Sequence, residues 1–204
     1  MSSENQAIMY VFAGNNGSGK STFRNLISEK QGIQTNIDPD SLAKKYTENK
    51  EIRAGREAIL LIKGLISDKM NFSMETTLSG RLPLKQIESA KKNGFRVIIY
   101  YLGLEKLTIN LNRIRQRVEQ GGHNIPKEDV LRRESRSLKN LMNLVFVADE
   151  IHLIDNTYMQ AIIAASIHKD GYQLHIPEHK IPRWIHRVLK DVDILIEQKG
   201  SKDD

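Results

Sequence analysis

The stretch Gly14-Asn15-Asn16-Gly17-Ser18-Gly19-Lys20-Ser21-Thr22 constrains this chain more than any other feature. It matches the pattern G-x-x-x-x-G-K-[ST] in full, and its flanks are the ones that pattern requires. The apolar run Ala7 to Ala13 reads as a buried strand, and Ser21 onward (STFRNLISEK) reads as a helix. Gly14, Gly17 and Gly19 open backbone conformations closed to other residues, so successive N–H groups can face one anion-sized hollow. The helix N-terminus adds partial positive charge. In such a loop Lys20 reaches the β- and γ-phosphates and Ser21 offers a hydroxyl to Mg²⁺. All nine residues from Gly14 to Thr22 are therefore candidate contacts to a nucleoside triphosphate.

The rest of the chain reads as a repeated strand-helix pattern. Apolar runs at Gly32 to Asp38, Phe72 to Leu78, Phe95 to Leu104 and Glu150 to Asp155 are short enough for strands. Between them, Ser41 to Lys69, Leu84 to Lys92 and Leu107 to Gln120 carry helical spacing, and Gly55 and Gly64 predict a break of the first into two helices. The expected fold is α/β: a three-layer phosphate-loop architecture with a five-stranded parallel sheet and a helical, arginine-bearing lid. One domain over residues 1–204 is expected, with a core at 7–156 and a C-terminal helical extension at 157–204. In that extension Ile181 to Ile196 reads as a helix with Trp184 on its apolar side.

Composition narrows the function classes. There is no cysteine, which excludes disulfides, a thiol nucleophile and cysteine-ligated metal. No apolar stretch approaches the ~20 residues of a membrane span, and the start MSSENQ is polar, so a cytoplasmic protein without a membrane partner is expected. The net charge of +6 suits nucleic acid or phosphate-rich small substrates equally. No basic tract interleaved with aromatics favours nucleic acid.

Three groups of residues could carry chemistry. Asn36-Ile37-Asp38-Pro39-Asp40 closes the second strand, where ligands of open α/β sheets bind, so Asp38 and Asp40 are expected near the loop. Asp40 reads equally as a proton acceptor or as the cap of a helix starting at Ser41, and Asp38 as a turn residue before Pro39. Glu75 lies on the third strand with Thr76 and Thr77; it would meet Mg²⁺ water, a substrate hydroxyl or a basic residue, or face solvent if that strand is an edge. Arg113 and Arg117 lie four apart on one helix, and Arg132, Arg133 and Arg136 on the next, from Pro126. Like charges at that spacing repel unless both helices flank an anion, and Arg133 then contacts the nucleotide. Gly121 also reads as a helix end, and His123 as a structural residue of the connection.

GNNGSGKST, NIDPDSLA, ETTLSG and RVEQGGHNIPKEDVLRRESRSLKNL together resemble the zeta toxin family of phosphate-loop kinases, over residues 7 to 156. The resemblance implies an ATP- and Mg²⁺-dependent kinase acting on a hydroxyl of a small molecule, with a nucleotide sugar such as UDP-N-acetylglucosamine as acceptor. An antitoxin protein is the partner it implies. It makes Lys20 the phosphate-holding lysine, Asp40 the base, Glu75 and Thr77 acceptor residues, and Ser21 with Glu75 the metal site. Arg113 and Arg117 resemble arginines that hold the transferred phosphoryl group, although the longer toxins space theirs differently and lack the GGH segment. ATP is favoured over GTP because no [NT]-K-x-D tetrapeptide occurs. An ATPase, a nucleic-acid end kinase and a non-catalytic nucleotide-binding module are the alternatives.

Overall fold

A computed structural model of the chain describes residues 6–122, 124–158 and 160–203. The apolar run before the glycine-rich loop forms strand β1 (Ile8–Gly14), and α1 (Lys20–Gln31) follows the loop. Then come β2 (Asn36–Ile37), α2 (Pro39–Ala43), α3 (Lys50–Ser67), β3 (Phe72–Thr76), α4 (Arg81–Lys92) and β4 (Arg96–Gly103). Helices α5 (Leu107–Glu119) and α6 (Lys127–Met142) precede β5 (Glu150–Asp155), β6 (Ile162–His168), β7 (Gly171–Leu174) and α7 (Arg183–Asp203).

The sheet has seven strands in the order β2-β3-β1-β4-β5-β6-β7, which corrects the expected five. The first five strands of the chain are parallel, as expected; β6 runs antiparallel to β5, and β7 antiparallel to β6. The added pair is a hairpin turned at Lys169-Asp170-Gly171, where the sequence promised only helix. Parallel strands require a helical crossover, whereas an antiparallel pair needs only this tight turn.

Alternate residues of the central strands enter two cores. Met9, Val11, Ala13, Ile99, Tyr101 and Leu153 pack with Ile62 of α3, Ile87 of α4, Leu141 of α6 and Ile185 of α7. On the opposite face Tyr10, Phe12, Tyr100 and Ile154 pack with Phe23 of α1. The sheet is thereby sandwiched between helices. The chain runs from β1 outward through β2 and β3 on one side, then crosses to β4 and β5 on the other. That reversal puts a crevice at the carboxyl end of β1, beneath the glycine-rich loop.

The first helical segment does break in two, but at Lys44 to Asn49 and not at a glycine. Gly55 and Gly64 sit inside α3, and a Cβ at either would meet nothing within 4 Å. At the other end of the chain, Trp184 of α7 lies against Gly103 so closely that a Cβ there would fall 2.6 Å from the indole ring.

Candidate active site

Residues Asn15 to Gly19 leave β1 and enter α1 through left-handed turns, with φ of +75° at Gly17 and +91° at Gly19. Side chains at these glycines would also collide with neighbours. A Cβ at Gly17 would stand 2.7 Å from the Asn110 carbonyl, and one at Gly19 would stand 2.3 Å from Asn156 Nδ2. Helix α1 has no side-chain cap and no acidic residue in its first turn, so its leading N–H groups keep their positive end for an anion.

Three elements hold the loop in shape. Asn110 of α5, itself buried, donates through Nδ2 to the Asn16 carbonyl at 2.8 Å. From α6, Arg133 donates to Asn16 Oδ1 at 2.9 Å, and the Val130 carbonyl accepts from Asn15 Nδ2 at 3.0 Å. Beyond β5, Asn156 donates through Nδ2 to the Ser18 carbonyl at 2.8 Å. Sequence reading missed Asn110 and Asn156, because an asparagine outside the loop's own pattern carries no local signal.

Lys20 is buried, and its ammonium donates to the Asn15 carbonyl at 3.1 Å. Burial pushes it below the ordinary lysine range; Glu75, Asp40 and Asp38 push it back up, and Arg117 lowers it further. Those four charged groups come from β3, the start of α2 and α5, so the structure gathers the expected residues around one ammonium. Ser21 Oγ donates to Glu75 Oε1 at 2.9 Å, and Thr22 stands next to it in the first turn of α1. Glu75 belongs to β3, which lies between β2 and β1, so the solvent-facing edge reading is corrected. Burial raises its carboxyl above the ordinary range, against the opposing pull of Lys20.

Asp38, not Asp40, caps α2. Its Oδ1 accepts the Asp40 backbone N–H at 3.0 Å and its Oδ2 accepts the Ser41 hydroxyl at 2.7 Å, with Pro39 in the first helical position. The cap reading of Asp40 is thereby corrected, and its carboxylate stands exposed. Thr77 is hydroxyl-bonded to Ser79 at 2.9 Å, just past the strand. The next residue, Leu78, is fully buried with φ of +56°, a conformation that costs a non-glycine residue about 1–3 kcal/mol. The Thr76 hydroxyl accepts its N–H and Asn140 of α6 donates to its carbonyl, which fixes this turn beside Glu75.

The arginines divide. Arg113 donates to the Asn156 carbonyl at 2.8 Å beside Gly19, and Arg117 is exposed within electrostatic reach of Lys20. Arg132 pairs with Asp129 on its own helix, and both it and Arg136 face solvent. After α5, Gly121 takes φ of +87° and donates to the Val118 carbonyl while Gly122 donates to that of Arg117. This pair of bonds ends the helix as the sequence suggested. His123 lies outside the described residues.

The sequence model of the family described as Zeta toxin matches residues 1–166. The chain belongs to the zeta toxin family. A relative from Haemophilus influenzae, called an uncharacterized protein, is 41% identical over 131 residues, 62% of this chain and 91% of that one. Among solved structures, one from the PezAT chromosomal toxin-antitoxin system of Streptococcus pneumoniae is similar with a TM-score of 0.63 at 19% identity, covering 98% of this chain and 87% of that chain. The AvrRxo1-ORF1:-ORF2 complex with ATP gives 0.65 at 16% identity, over 91% of this chain and 64% of that one, so this chain spans under two thirds of its length. A putative kinase from Chloroflexus aurantiacus gives 0.56 at 14% identity, over 93% and 98%. At such identities the likeness establishes the phosphate-loop kinase fold that zeta toxins share. Among the described residues, no helix is long and apolar enough to cross a membrane.

Proposed function

We propose that this zeta toxin family member is an ATP- and Mg²⁺-dependent kinase that phosphorylates a hydroxyl of a small molecule, with a nucleotide sugar such as UDP-N-acetylglucosamine as the acceptor. The observation that carries the reading is the division between Asp38 and Asp40. With Asp38 capping α2, Asp40 keeps an exposed carboxylate whose charge acts on Lys20. A proton acceptor within electrostatic reach of the phosphate-holding lysine suits attack by an acceptor hydroxyl, and the product distinguishes this from attack by water.

The residues present fit both groups. Ser21 Oγ and Glu75 are hard oxygen donors in contact with one another, the donor chemistry Mg²⁺ takes. The uncapped α1 N-terminus, the glycine turns and Lys20 suit a polyphosphate. Bound Mg²⁺·ATP supplies the transferable phosphoryl group and neutralises part of its charge. Lys20 and the α1 N–H groups hold the phosphate oxygens, and Arg133 keeps the loop in register through Asn16. Asp40 takes the proton of the acceptor hydroxyl, and Thr77 and Glu75 flank the acceptor. Arg117, with Arg113 beside the loop, meets the charge on the group in flight.

Incubation with ATP and a panel of UDP-sugars, read by mass spectrometry, tests the reading: a sugar nucleotide heavier by one phosphoryl group is the expected product. ADP and inorganic phosphate alone would make the protein an ATPase. Because the PezAT relative comes from a toxin-antitoxin system, we extend the proposal to an antitoxin partner. Induced expression should then arrest growth, with Lys20→Ala abolishing the arrest.

A further inference from the structure

The acceptor side contains a cation that none of the motif positions includes. Arg24 lies on α1 four positions past Lys20, hence on the same helical face. Its Nη1 is 2.7 Å from Glu75 Oε2 and 3.6 Å from Asp38 Oδ2, and its Nη2 donates to Asn25 Oδ1 at 2.9 Å. The three charged side chains are 14%, 11% and 12% exposed for Arg24, Glu75 and Asp38, so the ion pairs are largely withdrawn from water. Among the described residues Arg24 is the one basic side chain paired with either carboxylate.

We propose that Arg24 is a positioning residue for phosphoryl transfer, clamping the Asp38 cap and Glu75 to α1 so that Asp40 stands at a fixed place relative to Lys20. This rests on the kinase reading above. The route is short: Arg24 forms an ion pair with Asp38 Oδ2, Asp38 Oδ1 accepts the Asp40 N–H, and Asp40 occupies the first turn of α2. The other restraints on this segment are apolar and backbone ones: Ile37 is buried in the core, Leu42 packs against it, and β2 pairs with β3. Strand β2 has only two residues and lies at the sheet edge, and α2 is five residues long with no buried side chain. On that edge Ser73 also donates its N–H to the Thr35 carbonyl at 2.9 Å and its Oγ to Asn36 Oδ1 at 2.7 Å. Without the guanidinium, Asp38 and Glu75 would keep Lys20 alone as a nearby cation, and their mutual repulsion would push the start of α2 away from β3. A base displaced by about 1 Å loses on the order of a hundredfold in rate.

The test compares Arg24→Ala, Arg24→Lys and Arg24→Gln with the natural chain. Hydrogen exchange of the free protein reads the clamp directly: amides of residues 36–43 should exchange faster in Arg24→Ala, with residues 14–20 unchanged. ATP affinity without Mg²⁺, by calorimetry, should stay within about threefold, while kcat for the acceptor falls on the order of tenfold to a hundredfold. The ratio of phosphorylated acceptor to ADP should fall with it. Lysine keeps the charge without the two-nitrogen fork and should recover part of both effects, whereas glutamine should recover neither. If Arg24→Ala does not fold, Arg24→Lys and Arg24→Gln carry the comparison. Unchanged exchange at 36–43 with an unchanged coupling ratio would overturn the assignment, and so would a parallel loss of ATP affinity. Should the natural chain phosphorylate no acceptor at all, the kinase reading fails by itself, and the exchange arm still decides whether Arg24 clamps α2.

Discussion

The two halves of the candidate site are built on different terms. On the phosphate side, side chains from α5, α6 and the end of β5 hold a backbone loop, through Asn110, Arg133 and Asn156. On the acceptor side, one arginine pairs with two carboxylates, Asp38 at the end of β2 and Glu75 on β3, and the Asp40 carboxylate stands exposed beside them. Recognition by N–H groups needs a backbone that is already in position, because each misaligned donor forfeits its hydrogen bond. Proton transfer needs a side chain the acceptor can reach, so its support comes from ion pairs behind it and not from enclosure. The first half is therefore held by hydrogen bonds to a backbone loop, and the second by ion pairs beneath an exposed base.

The largest effect expected is at the lysine common to both halves. Lys20→Ala removes the buried point charge that Asp40, Asp38 and Glu75 all face, and phosphoryl transfer should drop about a thousandfold or more, with weakened ATP binding. Folded Lys20→Ala protein with unchanged turnover would remove the nucleotide assignment altogether.

Asp40→Asn comes next and separates the halves. Because Asp38 supplies the cap, the amide at position 40 should leave melting temperature and ATP affinity as they are while turnover of the acceptor falls roughly a hundredfold or more. Near-normal turnover would take Asp40 out of the mechanism and redirect the search to Asp38 or Glu75.

Asn156→Ala probes the phosphate half in the opposite sense. It strips the donor from the Ser18 carbonyl but spares the backbone carbonyl that Arg113 uses. A buried acceptor left unpaired costs about 1–3 kcal/mol, so ATP affinity should weaken about tenfold with the acceptor's own affinity unaltered. An equal loss on both sides, measured by calorimetry, would show that the halves are not independent.

The same contrast explains what could be read from the sequence. The loop was legible residue by residue, since glycine at 14, 17 and 19 and lysine at 20 are demanded by local backbone geometry and phosphate charge. Strand β5 has the bounds its apolar run suggested, and α5 differs by one residue. Strand β2 was expected from Gly32, but Gly32 with φ of +63° ends α1, and only Asn36–Ile37 pair with β3. The β6-β7 hairpin escaped because a β-α repetition was carried past Asn156, although Asp170-Gly171 between two strand-like runs is itself a turn signal. Glycines inside α3 misled in the same way: they face open space, where the penalty against alanine is about 1 kcal/mol and the rest of an 18-residue amphipathic helix outweighs it. Arg24, Asn110 and Asn156 were illegible for a different reason. Their roles rest on partners 51, 94 and 138 positions away, and no local pattern encodes such distances.

The smallest effect expected concerns the cost of keeping the acceptor side charged. Burial raises the Glu75 carboxyl, so the folded chain binds that proton more tightly than the unfolded chain does. The stability tied to that proton is fully present below the ordinary carboxylate range and is lost as pH rises through the raised value. At neutral pH the ionised group therefore works against folding, despite Ser21 and Arg24. Glu75→Gln keeps the shape and removes the charge, and it should melt slightly above the natural chain at pH 7 even as metal-dependent activity is lost. The gap should close as pH falls and Glu75 takes up its proton. Thermal melts from pH 4 to pH 8 check both the sign and the slope. A lower melting temperature for Glu75→Gln at pH 7 would mean that the Arg24 ion pair outweighs burial, and the acceptor half would then count as a stabilised element instead of one strained to keep its charge.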